Sequence, residues 1–379
     1  MSKVAIEGNA SGTGTLTIAA PNTSTNYTLS LPEEAGTITT SNSPYSTFRN
    51  RIINGDMRID QRNAGASVTI STSGVYVLDR WKNRANGGGE FSVQQSSTAP
   101  AGFNNSVIYT VTTADSSIAA GDNYWIVQEI EGYNVADLDF GTANAKTITM
   151  SFWVRSSVTG TYSVFLSNAT TYNRGYVATY TISVADTWEY KTVTIAGDTT
   201  GTWGKTNGGG LSVGFNLGAG TDYQTTAGSW GSAFVQATSG TTQWIATNGA
   251  TFYITGVQLE VGSVATPFER RPYGTEFQLC QRYFWVLASS PGTALNSTGA
   301  RFNVSHTWMR ATPSVSATAA LNVSDEVASD FLQSSANIAI SENSALGGRY
   351  QANNFSGMTS GRFADLLTNG GKIQFSSEL

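Results

Sequence analysis

Apolar and polar positions alternate along most of this chain with the two-residue period of a β-strand. Between Thr147 and Arg155, Ile148, Met150, Phe152 and Val154 fall on one face and Thr149, Ser151, Trp153 and Arg155 on the other, the signature of a half-buried strand. Tyr162, Val164 and Leu166 repeat it after the turn signal Thr159-Gly160,. In residues 251–261 the apolar set Phe252 and Ile254 changes phase to Val257, Leu259 and Val261, and Gly256 at the change predicts a β-bulge,. Gly-rich loops at Gly87-Gly88-Gly89 and Gly208-Gly209-Gly210 separate strands. This regular spacing predicts an antiparallel jelly-roll sandwich over residues 44–273.

Residues 1–43 hold only small apolar pairs: Leu16 with Ile18, Leu29 with Leu31, then Ile38. Strands this small bury too little surface to fold alone. They predict an attachment or trimerisation segment that leans on neighbouring copies or a docking protein, with a frayed terminus as the alternative. Residues 274–283 break the period: Phe277, Cys280 and Phe284 approach helical spacing, with Glu276 early and Arg282 late, giving a short connector helix. From 284 to 379 β character returns between Asn, Gly and Ser turn clusters, as a smaller distal β-sandwich domain in which Pro313 marks a strand start or edge,.

Composition agrees with an all-β chain. Only 12% of the 379 residues are charged and helix-favouring types are scarce, while the length suits two or three domains. Hydrophobic residues at 40% suffice for packed cores and argue against disorder,. A net charge of −5, with no Lys/Arg run longer than Arg270-Arg271, excludes a phosphate-binding face and hence a nucleic-acid partner. A single cysteine, Cys280, excludes an intrachain disulfide framework and a Cys-rich zinc site. No 18-residue apolar run or signal-peptide core is visible, so folding in a cytoplasm without membrane insertion is expected.

Three stretches carry a resemblance: Asn50-Arg-Ile-Ile-Asn-Gly-Asp-Met-Arg-Ile-Asp-Gln-Arg-Asn-Ala-Gly65 with Tyr76-Val-Leu-Asp-Arg-Trp81, Gly14-Thr-Leu-Thr-Ile-Ala-Ala-Pro21 with Leu31-Pro-Glu-Glu-Ala-Gly-Thr-Ile38, and the whole of residues 251–283. They resemble tail-fibre and appendage proteins of tailed bacteriophages, especially of marine and cyanobacterial hosts. More loosely, the central region resembles jelly-roll carbohydrate-binding modules. The resemblance implies a homotrimeric structural fibre of the virion, assembled in the host cytoplasm. Its N-terminal segment would join other tail or capsid proteins, and residues 284–379 would point towards the host. A glycan-degrading fibre and a capsid decoration fibre are the alternatives.

The residues offer little for catalysis. His306 is the only imidazole, and Ser305 beside it would face the opposite side of a strand,. Glu129 and Glu131 share one strand face, with Asp137 and Asp139 nearby, a spacing that could flank a glycosidic bond but equally fits solvent-facing alternation with Ile130 inward. A non-enzymatic protein is therefore expected. The same acids with Asp56 and Asp79 could offer oxygens to a structural Ca²⁺, although no Asp-x-Asp-x-Asp-Gly loop occurs,. Asp79 and Arg80 could form a local ion pair. For binding, Trp203 and Trp230 stand between glycines, with Tyr223 and Trp244 nearby. These four rings are candidates for stacking on host surface sugars. The same rings can instead fold back to cap the sandwich, and the sequence leaves both readings open.

Overall fold

The computed structural model describes residues 48–379 apart from 288, 319–321, 325–330, 333–337, 354, 356–357 and 368–371. The chain divides into two units, Met1–Ser43 and Pro44–Leu379. The expected attachment segment, 1–43, lies outside the described residues.

Twelve strands build the sandwich: β1 Val68–Ile70, β2 Ser73–Tyr76, β3 Lys82–Asn86, β4 Glu90–Ser96, β5 Ser106–Thr113, β6 Asn123–Glu131, β7 Ile148–Ser156, β8 Gly160–Asn168, β9 Gly175–Ile182, β10 Glu189–Ile195, β11 Gly209–Ala219 and β12 Thr251–Val261. They form two six-stranded sheets, in the orders β1-β4-β5-β12-β7-β10 and β2-β3-β6-β11-β8-β9. All pairings within them are antiparallel. This is a jelly-roll-like sandwich. Ile148, Met150, Phe152 and Val154 of β7 meet Tyr162, Val164 and Leu166 of β8 in one core, all fully buried. Each such side chain contributes roughly 1.5–3 kcal/mol through burial. The expected bulge is present: Gly256 has φ +61°, and the β12–β7 register shifts between Thr255 and Gln258. A Cβ at Gly256 would come within 2.7 Å of the Phe103 ring.

Helix α1, Tyr273–Gln281, follows and buries Glu276 and Cys280. Beyond it come β13 Phe284–Leu287, β14 Ser289–Asn296, β15 Gly299–Ser305, β16 Ser314–Ala317, β17 Asn322–Ser324, β18 Phe331–Leu332, β19 Ile338–Ser344, β20 Gly347–Asn353, β21 Phe363–Leu367 and β22 Ile373–Ser376. Among the described residues these make a three-stranded sheet, β13-β22-β16, and a seven-stranded sheet, β18-β17-β21-β14-β15-β20-β19. Phe302, Tyr350 and Phe375 anchor their common core. Pro313 immediately precedes β16, an edge strand, where its missing N–H leaves no ladder bond unmade,. His306 is buried with its ring packed against those of Trp285 and Phe375, at centroid distances of 5.6 and 5.4 Å, a core position.

The described phrases behind the phage resemblance converge on one buried polar network. Asn50 donates to the Val257 carbonyl at 3.1 Å and accepts from Leu259 N at 3.0 Å. Asn54, at φ +57°, bonds the Ile59 and Asp79 carbonyls, and its own carbonyl accepts from Trp81 Nε1 at 3.0 Å. Arg271 bridges the Ile52 carbonyl and the Glu276 carboxylate of α1. The network also ties the sandwich to the distal domain through Arg282, which holds Glu131 at 2.6 and 2.9 Å. Asp79 and Arg80, however, do not pair with each other. Asp79 accepts from Gln61 N and Nε2 at 2.8 and 2.6 Å, whereas Arg80 turns to Glu378 and lies 3.6 Å from the Tyr283 ring centre. The positive φ of Arg80, +71°, swings its side chain away from the preceding carboxylate. A buried guanidinium needs a full partner, and Glu378, two residues beyond β22, supplies it.

Candidate functional site

Alternation along β6 sends Tyr124, Ile126 and Ile130 into the core and Trp125, Val127 and Glu129 to the outer face of the second sheet. Pairing extends this face into rows. Ser73, Arg84, Trp125 and Asn216 lie side by side across β2, β3, β6 and β11. The next row runs Lys82, Val127, Gly214, Phe165 and Val177. Above β8 and β9 the segment 221–240 closes down on the sheet. It is fixed by Ser163 Oγ donating to the Gln236 carbonyl at 2.8 Å and Gly228 N donating to the Val177 carbonyl at 2.9 Å. The result is a cleft of about 470 Å³, within the range of small-molecule sites.

One wall is aromatic. Phe234 meets Phe165, Tyr172 and Tyr223 edge-on, with centroids 5.9, 5.4 and 6.2 Å away. Gly214 in the floor is required, because a Cβ there would run into the Phe165 ring and sit 2.7 Å from the Ile126 carbonyl oxygen. The opposite side is polar: Lys82, Arg84, Asn123 and Ser73. Among the described residues Glu129 is the single carboxylate lining the cleft. It accepts from Lys82 Nζ at 2.9 Å and from the Tyr172 hydroxyl at 2.7 Å. Burial, and then the Glu129 charge, push the Tyr172 phenol far above its ordinary pKa, so Tyr172 stays a neutral donor.

Several polar atoms on this face have no hydrogen-bond partner in the protein: Trp125 Nε1, Asn123 Oδ1, and both amide atoms of Asn216. Trp125 is only 8% exposed. Buried donors and acceptors of this kind cost free energy unless water or a ligand completes them. A second aromatic hollow, on the outer face of the other sheet, holds Trp153 and Tyr190 with ring centres 5.4 Å apart. None of its lining residues carries such an unpartnered polar atom.

Of the four rings predicted to stack on sugar, the structure places only Tyr223 in the cleft. The other three turn inward. Trp244 is fully buried between Phe91 and Phe252, both at 6.2 Å. Trp203 is buried edge-on to Phe140 at 4.9 Å, and its indole N–H donates to the Thr200 carbonyl at 3.1 Å. Trp230 packs on Trp203 and Tyr176 and donates to the Ala196 carbonyl at 2.7 Å. The flanking glycines serve the fold-back: Gly201 takes φ +81°, and a Cβ on Gly204 would strike the Gly209 carbonyl. Sequence reasoning missed Trp125, Lys82 and Arg84. The available signal was that Trp125 and Val127 share the strand face of Glu129.

The acids considered for Ca²⁺ do not converge. Asp56 pairs with Arg58, Asp137 with Arg51, Asp139 with Lys146 and Glu131 with Arg282. Among the described residues no three His, Cys, Asp or Glu side chains gather as a metal site.

No family model matches the chain, and no curated protein matches its sequence. Among solved structures it is similar to the enzymatically active domain of tailspike protein 4 of bacteriophage CBA120, at 12% identity and TM-score 0.29, over 57% of this chain and 22% of that one. It is also similar to a family 11 carbohydrate-binding module from Clostridium thermocellum, at 11% identity and TM-score 0.27, over 54% and 100% of the two chains. A third is the CBM22-2 xylan-binding domain from Paenibacillus barcinonensis, at 15% identity and TM-score 0.28, over 48% and 92%. The chain thus spans less than a quarter of the tailspike domain.

Proposed function

We propose that this chain is a structural, adhesive fibre protein of a tailed-phage virion that holds a host surface glycan in the cleft between β3 and the 221–240 segment. One observation carries the glycan reading: a cleft of about 470 Å³ is lined both by the aromatic residues Phe234, Tyr172 and Tyr223 and by Trp125 and Asn123, whose Nε1 and Oδ1 have no hydrogen-bond partner in the protein. Sugar C–H faces pack on rings, and sugar hydroxyls complete buried donors and acceptors. Binding without turnover is supported by Glu129, the single carboxylate in the cleft among the described residues, already bonded to Lys82 and Tyr172, since glycoside hydrolysis ordinarily uses two.

The fibre reading rests on the phage-like phrases at 14–38, 50–81 and 251–283. It assigns residues 1–43 to attachment on tail or capsid proteins and the rest of the chain to the exterior, with three copies associating through that segment. Several weak cleft contacts on one particle then act together.

The test is a glycan array probed with the intact protein and with Trp125→Ala, alongside light scattering. The reading expects binding to a host polysaccharide that Trp125→Ala weakens at least tenfold, no release of reducing ends, and a mass three times the 40.1 kDa chain. An array without binders defeats the glycan reading, and a monomer mass defeats the trimer.

A further inference from the structure

We infer that the glycan held in this cleft is acidic, and that Arg84 receives its carboxylate. The inference rests on the glycan reading of the cleft and adds the chemical class of the sugar.

Every other arginine of the sandwich is committed. Arg51, Arg58, Arg62, Arg155 and Arg174, for example, pair with Asp137, Asp56, Glu378, Asp186 and Asp198. Arg49, Arg80, Arg270 and Arg271 also bond carbonyl oxygens. Arg84 makes no hydrogen bond or ion pair among the described residues, and its Nε is buried without a partner. Its guanidinium carbon lies 5.9 Å from the centre of the Trp125 ring.

Charge counting on the cleft points the same way. Lys82 and Glu129 neutralise each other at 2.9 Å, and among the described residues no other carboxylate lines the cleft, so the Arg84 charge stands uncompensated there in a protein whose net charge is −5. A guanidinium offers a planar fork of donors that matches a carboxylate at two points. Arg84 and Trp125 are directly opposed in the β3–β6 ladder. A uronic-acid ring stacked near Trp125 therefore carries its charge within reach of Arg84, while its hydroxyls reach Asn123 and Trp125 Nε1.

Acidic polysaccharides tested beside their carboxyl-reduced forms isolate this charge: galacturonan, alginate and glucuronoxylan, each before and after reduction, with the neutral glycans of the array as controls. At low salt the intact protein is expected to bind at least one acidic form tenfold or more tighter than its reduced partner. Arg84→Gln should erase that difference, and Arg84→Lys should restore part of it. Because Arg84 holds no other side chain in an ion pair, a folded variant is expected, checked by its melting curve. Equal affinity for acidic and reduced forms, or binding confined to neutral glycans, overturns the inference and leaves the glycan reading standing. Absence of binding to every acidic, reduced and neutral glycan overturns both.

Discussion

Gly214 lies beneath the Phe165 ring in the floor of the cleft, and any side chain at 214 would meet both that ring and the Ile126 carbonyl. The hollow thus depends on the absence of one Cβ in β11. Gly214→Ala should lower stability by about 1–3 kcal/mol through overpacking and should weaken glycan binding by displacing Phe165. A variant as stable as the parent, with unchanged affinity, would show that the floor yields freely.

Trp203 and Trp244 are core residues in this account. Trp244→Ala should cost about 3–5 kcal/mol, read as a drop in the urea midpoint. Trp203→Ala should cost somewhat less, being at the edge of the core. At temperatures where each variant is folded, affinity for the glycan should match the parent. Loss of affinity in a fully folded Trp203→Ala protein would return that ring to the binding site.

Glu131 is 1% exposed at its side chain and leans on Arg282, the residue that follows α1. Removing the cation leaves a buried carboxylate with only the Tyr283 hydroxyl at 2.9 Å. Arg282→Ala should cost about 3 kcal/mol and speed amide exchange in β13 relative to β7. A cost near zero would mean that the two sandwiches are not coupled through this pair.

Asp79 supplies a pH signature. Its carboxyl is pushed up to about 6, chiefly by burial, against the opposing effects of Arg62 and the Gln61 hydrogen bonds. A carboxyl whose pKa rises on folding holds its proton more tightly in the folded state, so its contribution to stability falls as pH climbs from about 4 to about 6. Asp79→Asn removes that titration. The stability of the parent minus that of the variant should therefore fall by about 2–3 kcal/mol across this window. A difference that does not vary with pH would contradict the assignment.

Much of the architecture was legible from two-residue alternation. Ile148, Met150, Phe152 and Val154 fell on the core face because one side of β7 is covered and the other is more open, and Gly256 announced its bulge by the phase change around it. The cleft was not legible for a related reason. All nine residues of β6 are buried, since the 221–240 segment packs on Trp125 and Val127 while Arg282 and Tyr283 close over Glu131, so Tyr124-Trp125-Ile126-Val127 reads as uniformly apolar and Trp125 does not stand out. Ring direction was also hidden. Whether Trp203 and Trp230 point in or out depends on the Thr200 and Ala196 carbonyls that take their indole protons. Arg80 is a longer-range case, because its partner Glu378 lies far along the chain.

The most direct test of the central claim is a crystal structure of the intact chain with the oligosaccharide that binds best on the array. The account predicts a sugar unit in the cleft of β3, β6 and the 221–240 segment, in van der Waals contact with the aromatic wall and hydrogen-bonded to Trp125 Nε1. A sugar seated instead on the Trp153–Tyr190 face or on the distal domain, with the cleft filled only by water, would contradict it.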